Sequence, residues 1–274
     1  MKELQELQSN DIAHALFNDF DNVTAAVDSI PLWNMQRVVI WIGGGYYFKI
    51  TINRTKNFVT FFGDPLDMPK IEFNGTAVEF VTLNSATVVV DSDYFVAVNI
   101  AFMNSAPMSD GQKVLVQAVA IRISGNKEPS ITASSIGFQD TLYDDRGMYF
   151  FKDYYIEGTI DFIFGNGKSL YLHKQEKRLK ITVDLHSFTT TLLVRATPQR
   201  TSVVHGSKGR ESSLLSFTWA TSTVYYGEYK CMGSGASSTG RIGFARILSE
   251  FEARPFLSLT YINGSNWLLP PPSM

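Results

Sequence analysis

Two aspartates stand where a chain seldom places them. Asp140 lies in Phe138-Gln139-Asp140-Thr141-Leu142-Tyr143, and Asp161 in Gly158-Thr159-Ile160-Asp161-Phe162-Ile163-Phe164-Gly165. Aspartate is a poor strand residue, so a carboxylate flanked by Ile and Phe calls for a reason. The two are 21 residues apart, and Gln117 and Gln139 are 22 apart. In a solenoid with a turn of that length, all four side chains stack on neighbouring parallel strands roughly 4.8 Å apart. Ester hydrolysis without a metal needs a nucleophile, a proton carrier for the leaving alcohol, and donors for the oxyanion. Two carboxyls and two amides offer all three. Like charges a few Å apart resist joint ionisation, so the two carboxyls must differ in protonation. A glycosidase also uses paired acids, but it has no use for two amide donors aimed at an oxyanion.

Elements with the right rhythm surround these residues. From Arg37 onward come short apolar runs separated by Gly, Asn, Asp and Pro: Val38 to Ile42, Ile50 to Ile52, Val59 to Phe62, Thr87 to Val90 and Phe95 to Phe102. They are β-branched and aromatic without helical periodicity, which suits strands of a covered parallel sheet. Tyr149 to Phe151 and Tyr154 to Ile156 fill the coil between the two aspartates. An antiparallel sandwich would want more tight turns than Asn74-Gly75 and Asp110-Gly111 supply before Gly137. Residues 1–18 read as a short amphipathic helix. Val23 to Ile30 reads as a second, with Asp21-Asn22 as cap material and Pro31 as its stop, able to close one end of a solenoid. A short helix from Ser249 to Ala253 is bounded by Pro255. Residues 173–208 are basic and Thr-rich and lack the strand rhythm, which predicts the least ordered part of the chain. Asp144 and Asp145 read as turn residues, His14 as a surface residue, and Tyr46, Trp219 and Trp267 as packing aromatics.

With 274 residues, 45% hydrophobic and 18% charged, the chain can bury one large core. A formal charge of −2 offers no electrostatic footprint for nucleic acid or an anionic membrane, so a polyanion would have to be gripped locally. Cys231 is the only cysteine, so no intramolecular disulfide forms. No run of about 18 apolar residues is present, and MKELQELQSNDIAHALFNDF has no apolar stretch of the kind a secretory signal needs. Sequons at Asn22, Asn53, Asn74 and Asn263 lean the other way, toward a secretory history.

Five ordered blocks then carry a resemblance. Gln117-Ala118-Val119-Ala120-Ile121-Arg122, GFQDTLYDD from Gly137, YIEGTIDFIFGNGKSLY to Tyr171, Tyr226-Gly227-Glu228-Tyr229 and RPFLSLTYINGSNWL from Arg254 to Leu268 are similar to the plant-type pectinesterases (pectin methylesterases). The similarity runs from about residue 20 to 171 and again from about 209 to 268. It implies an all-β, right-handed parallel β-helix with a short N-terminal capping helix, in one domain spanning residues 1–274. It implies an aspartyl esterase that releases methanol from galacturonate methyl esters in cell wall modification and pectin catabolism. Asp161 would be the nucleophile, Asp140 the general acid and base, and Gln117 and Gln139 the oxyanion donors, with no cofactor and no metal. The implied partners are pectin (homogalacturonan) and a proteinaceous pectinesterase inhibitor, with no nucleic acid and no membrane. The implied state is a monomer in the extracellular space of the cell wall.

The chain departs from the pattern in two places. Phe48 stands where the family's Gly-x-Tyr-x-Glu motif, matched here by Gly44 and Tyr46, has Glu. The family's Leu-Gly-Arg segment, followed by Trp, has no counterpart: from Gly209-Arg210-Glu211 the chain passes almost directly to Ser222-Thr223-Val224, as though one or two coils before residue 222 were missing. In the family that Arg pairs with the nucleophilic aspartate, and Arg195, Arg200 and Arg210 sit in no matching motif. Two readings therefore stand: an active esterase, and a catalytically impaired β-helix that at most binds pectin.

Overall fold

The computed structural model describes residues 15–16, 20–107, 117–131, 133–158, 163–174, 192–196, 200–206, 226–229 and 245–268. After a two-residue strand β1 (Ala15–Leu16) and helix α1 (Val23–Ser29), the chain repeats one circuit through three sheets. The first face holds β2 (Val38–Ile42), β5 (Val59–Gly63), β8 (Val96–Val98), β11 (Glu128–Ile131), β14 (Met148–Lys152) and β17 (Lys168–Lys174). The second holds β3 (Tyr46–Tyr47), β6 (Lys70–Phe73), β9 (Ala101–Asn104), β12 (Ser134–Ile136) and β15 (Tyr155–Glu157). The third holds β4 (Ile50–Ile52), β7 (Val88–Val90), β10 (Ile121–Ile123), β13 (Leu142–Asp144) and β16 (Ile163–Gly165). Each of these strands pairs in parallel with its counterpart one circuit on. The architecture is a parallel β-helix.

Alternation of side chains builds the interior. Ile50, Val88, Ile121, Leu142 and Ile163 stand in register on the third face and are all buried. Each such side chain contributes about 1.5–3 kcal/mol by leaving water. The outward row between them reads Thr51, Val89, Arg122, Tyr143, Phe164. At the corner leading into the first face, Phe58 and Tyr94 stack at 4.5 Å, with Arg37 over Phe58 and Lys127 over Tyr94. Burial brings the Arg37 guanidinium down to about 10.

One end is closed and an outer flank is covered. Helix α1 is capped by Asn22, whose side chain accepts from the Ala25 N–H, and its Val23, Ala26 and Val27 join the main core together with Ile30. Strand β1 pairs with β2 in parallel, so residues 15–16 are extended and not part of the helix expected over 1–18. Two residues gain more from covering an open sheet edge than from one isolated helical turn. At the far end, helix α3 (Glu250–Ala253) starts on a capping box between Ser249 and Glu252. Ala253, Ile262 and the half-buried Trp267 cover Phe150 and Leu170 on the outside of the first face.

Several local readings change. The run Phe95 to Phe102 is two strands on different faces, because Asn99 turns the chain at φ 55° and donates from its buried amide to the Gly63 carbonyl. Residues 77–84 form a helix α2 (Ala77–Asn84), broken at Val81 with φ 62°. Tyr46 is 68% exposed, with Lys70 Nζ 4.8 Å above its ring, so it is no core aromatic. Asp144 is fully buried inside β13, accepting from the Ser169 hydroxyl, and is not a turn residue. In the segment 173–208, expected to be the least ordered, β18 (Leu192–Ala196) and β19 (Arg200–Gly206) pair antiparallel and β19 pairs antiparallel with β17, while residues 175–191, 197–199 and 207–208 lie outside the described residues. Their Val and Thr content favours strands, and antiparallel ladders do not need both faces covered. β20 (Tyr226–Glu228) and β21 (Ala245–Ile247) extend that sheet. His14 and Trp219 lie outside the described residues.

One interior acid stands out. Glu128 is buried on β11, neither carboxyl oxygen has a hydrogen-bond partner among the described residues, and Gly125 is needed beside it, since a Cβ there would lie 1.7 Å from the Ser92 carbonyl oxygen and 2.1 Å from Glu128 Oε1. Burial, reinforced by Asp93 and Asp91, raises its pKa well above the ordinary 4.5. Between the unfolded and folded values only the folded state keeps the proton, so stability falls as pH rises, by about 1.4 kcal/mol per unit. Tm is therefore expected to drop from pH 5 to pH 7. In Glu128→Gln that slope should flatten and the protein should melt higher at pH 7; a variant with the wild-type slope would rule Glu128 out as its source.

Candidate active site

The third face presents the site at the N-terminal ends of its strands. Gln117 lies four residues before β10, and Gln139 and Asp140 lie just before β13. The Ala118 N–H donates to the Gln139 carbonyl at 3.1 Å and the Ala120 N–H to the Thr141 carbonyl at 2.9 Å, so the two glutamines sit on adjacent coils. The Gln117 carbonyl accepts from the Ala77 N–H at 2.8 Å, which ties it to the start of α2. The Gln117 side-chain oxygen is buried and has no hydrogen-bond partner among the described residues. An orphaned buried acceptor costs on the order of 1–3 kcal/mol, so its burial calls for a reason.

Asp140 is 7% exposed and held at φ 60°. Aspartate is one of the few residues that enter the left-handed region at modest cost. Its neighbours fix it. The Gly137 N–H and the Thr141 hydroxyl both donate to the Glu157 carbonyl on the following coil, at 3.0 and 3.1 Å. Thr141 is fully buried. Residues 137–141 are therefore clamped at both ends while the peptide at Asp140 turns.

Beside this turn the outward pair Tyr143 and Phe164 stacks at 4.5 Å and 11°, packed with Ala86, Val89 and Val119. Tyr143 donates to Asp145 Oδ1 at 2.9 Å. Arg122, next in the row, is paired with Asp91 at 2.7 Å. The clamp through Thr141 and the aromatic pair were not singled out from the sequence. The pair was there to be found, since the period-two alternation of Leu142-Tyr143-Asp144 sends Tyr143 outward. Asp161, the fourth expected residue, lies outside the described residues. Gln117, Gln139 and Asp140 are brought to one end of one sheet. Among the described residues no group of three or more His, Cys, Asp or Glu could hold a metal ion.

Carboxamides and a carboxyl group on consecutive rungs of a parallel β-helix are groups suited to a carboxylic ester hydrolase. Comparison with known proteins identifies the class further. The pectinesterase family model matches residues 11–202, and the chain belongs to that family. It is 41% identical to pectinesterase 63 of Arabidopsis thaliana, covering 93% of this chain and 84% of the relative. It is 38% identical to pectinesterase 1 of Olea europaea, covering 92% and 78%. Among solved structures, the pectin methylesterase from carrot superposes with a TM-score of 0.69 at 25% identity, covering 93% of this chain and 94% of that one.

The left-handed turn separates chemistry from folding at Asp140. Asparagine tolerates the same region, so Asp140→Asn is expected to melt within about 1 kcal/mol of wild type, whereas Asp140→Val adds about 1–2 kcal/mol of backbone cost. Thermal unfolding of the two variants checks this; equal destabilisation by both would show that the turn imposes no such preference.

Proposed function

We propose that the chain hydrolyses the methyl esters of galacturonate units in pectin, with Asp161 as nucleophile, Asp140 as general acid and base, and Gln117 and Gln139 as oxyanion donors. The observation that supports this most is the ladder itself. Leu142 pairs with Ile163 at a step of 21 residues, and the same step separates Asp140 from Asp161 in the sequence.

In this reading a carboxylate oxygen of Asp161 attacks the ester carbonyl carbon, and the electron pair moves to the carbonyl oxygen. The glutamine NH₂ groups donate to that oxyanion. As the tetrahedral species collapses, the C–O bond to the methoxy group breaks, and Asp140 gives its proton to the departing oxygen, releasing methanol. The acyl-enzyme is an anhydride between Asp161 and the sugar. Asp140, now ionised, takes a proton from water, whose oxygen attacks the sugar's carbonyl carbon. Collapse returns the Asp161 carboxylate, the free galacturonic acid and protonated Asp140. Tyr143 and Phe164 offer the chain an apolar wall beside the reacting centre.

The same reading has the chain act as a monomer on homogalacturonan in the extracellular cell wall, where a proteinaceous inhibitor of pectinesterases would bind it. The impaired alternative rests only on the absent Leu-Gly-Arg segment, and no observation among the described residues favours it.

Methanol release from esterified pectin tests the assignment. Asp161→Asn is expected to abolish it, because an amide is a far weaker nucleophile and cannot regenerate the acid, and Asp140→Asn to come close. Gln117→Ala should lose about 10²- to 10³-fold in kcat. Wild-type turnover in Asp161→Asn would remove that residue from its role, and no turnover in the unaltered chain would overturn the esterase reading.

A further inference from the structure

The four sequons of the sequence, at Asn22, Asn53, Asn74 and Asn263, share one setting in the fold. All four asparagines are exposed, and none donates a hydrogen bond from its side-chain nitrogen among the described residues. Asn22 and Asn263 use only their side-chain oxygens, which accept from the Ala25 N–H at 2.8 Å and from Asn266 Nδ2 at 2.7 Å. Several asparagines outside the sequons are built into the fold by that nitrogen: Nδ2 of Asn34, Asn99 and Asn104 donates to backbone carbonyls. An N-glycan is joined to Nδ2 and is too bulky for a packed interior, so a chain that carries one folds only where that nitrogen is open to solvent. Sequence pattern and fold agree at all four positions.

Asn74 differs from the other three in where it stands. It follows β6 and precedes α2, and the hydroxyl residue of its sequon, Thr76, is the N-cap of that helix yet makes no side-chain capping bond. Gly75 between them is buried, and its carbonyl shares the Asn104 amide with the Val119 carbonyl, at 3.0 and 3.1 Å. One residue beyond Thr76, the Ala77 N–H donates to the Gln117 carbonyl at 2.8 Å. The sequon therefore lies against the coil that carries Gln117, and at most about 11 Å of chain separates Asn74 from that tie. The other three stand elsewhere. Asn22 caps α1, Asn53 follows β4 at the end of the third face opposite to Gln117, and Asn263 belongs to the segment that covers the outside of the first face.

We infer that Asn74 carries an N-linked oligosaccharide that stands at the rim of the candidate site and narrows the approach of a polymer to it. The donor is a polyprenyl-diphosphate-linked oligosaccharide. The Asn74 nitrogen attacks C1 of its first sugar, the N–C1 bond forms as the C1–O bond to the diphosphate breaks, the bonding pair leaves with the diphosphate, and the nitrogen gives up one proton to a base of the transferring enzyme. The attached sugar acts by its volume. A polymer extends past the site on either side and meets it, whereas an oligomer of a few units does not. This rests on the reading of the chain as an extracellular pectinesterase and adds to it a modification that regulates access to the same site.

The full chain secreted from a eukaryotic host tests it. Digestion with peptide N-glycosidase in heavy-oxygen water converts each occupied asparagine to labelled aspartate, and Asn74 is expected to carry the label. Kd is then measured for two probes, methyl-esterified pectin polymer and a short methyl-esterified oligogalacturonate. Asn74→Gln and Thr76→Ala should both remove the glycan and lower Kd for the polymer about 3-fold, while Kd for the oligomer stays within about 1.5-fold. Thr76→Ser keeps the sequon and should behave as the unaltered chain. An unlabelled Asn74, a polymer Kd unchanged in both glycan-free variants, or one lowered as much by Thr76→Ser would each overturn the inference. Methanol release separates the two readings: a labelled Asn74 with the expected Kd pattern in a chain that releases none leaves the glycan standing and overturns the esterase reading, and release by a chain whose Asn74 is bare does the reverse.

Discussion

Everything in this molecule depends on the parallel register from one coil to the next. A residue finds its neighbour a full circuit away in sequence, so a catalytic set can be assembled from positions that are distant in the chain only if every circuit follows the same path. The buried row Ile50, Val88, Ile121, Leu142, Ile163 enforces that. A slip of one residue in any ladder would send this row outward and carry Arg122, Tyr143 and Phe164 into the core. The cost of burying an arginine without a partner makes the register nearly unambiguous. The hydrophobic interior thus sets the precision of a polar site on the outside.

The corners show how the path is repeated. Left-handed residues recur ahead of strands of the first face, at Phe58, Tyr94, Lys127 and Gly147, and again between its strands and those of the second, at Asn99 and Asp153. A positive φ is therefore this fold's ordinary way of turning, and its presence at Asp140 does not by itself mark a catalytic residue. What distinguishes its setting is a nearly buried carboxyl, a threonine clamp to the next coil, and the partnerless amide oxygen of Gln117 on the coil before, the arrangement on which the proposed role rests. At the corner into the first face, stacking of Phe58 on Tyr94 under Lys127 offsets part of the conformational cost of three left-handed residues in a row of coils.

Much of this was legible in the sequence. The apolar runs announced strands, and Asn22, Ser249 and Pro31 marked helix ends, because short-range chemistry decides those features. The spacing of 21 and 22 residues announced coils and placed Gln117 and Gln139 on neighbouring ones. What escaped was set by long-range pairing. Phe95 to Phe102 reads as one strand because nothing local shows that Asn99 reaches the Gly63 carbonyl a coil away. Helix α2 carries Val78, Val81 and Thr82, poor helix formers, and is held by Gln117 at one end and Lys49 at the other. Asp144 sits in a turn-like Asp-Asp pair, yet its partner Ser169 lies on β17 of the first face, a full circuit beyond the next strand in the chain, β14.

The buried carboxyls show how one interior can treat the same chemistry in opposite ways. Asp144 and Glu128 are both removed from solvent in the same few coils, and Tyr149, the cross-strand neighbour of Glu128, feels both charges. Asp144 has the Ser169 hydroxyl as donor, whereas Glu128 has no hydrogen-bond donor among the described residues and lies near Asp93 and Asp91. An acid without donors is cheaper to bury protonated than ionised, so Glu128 settles as a neutral group. Charge is then left to the corners and the outer rows, where water and counter-charges can stabilise it. Arg122 with Asp91 and Lys127 over Tyr94 lie there. The division also bears on the role proposed for Asp140, which stands at the turn just before β13, at the edge of the sheet where the core meets the outer rows.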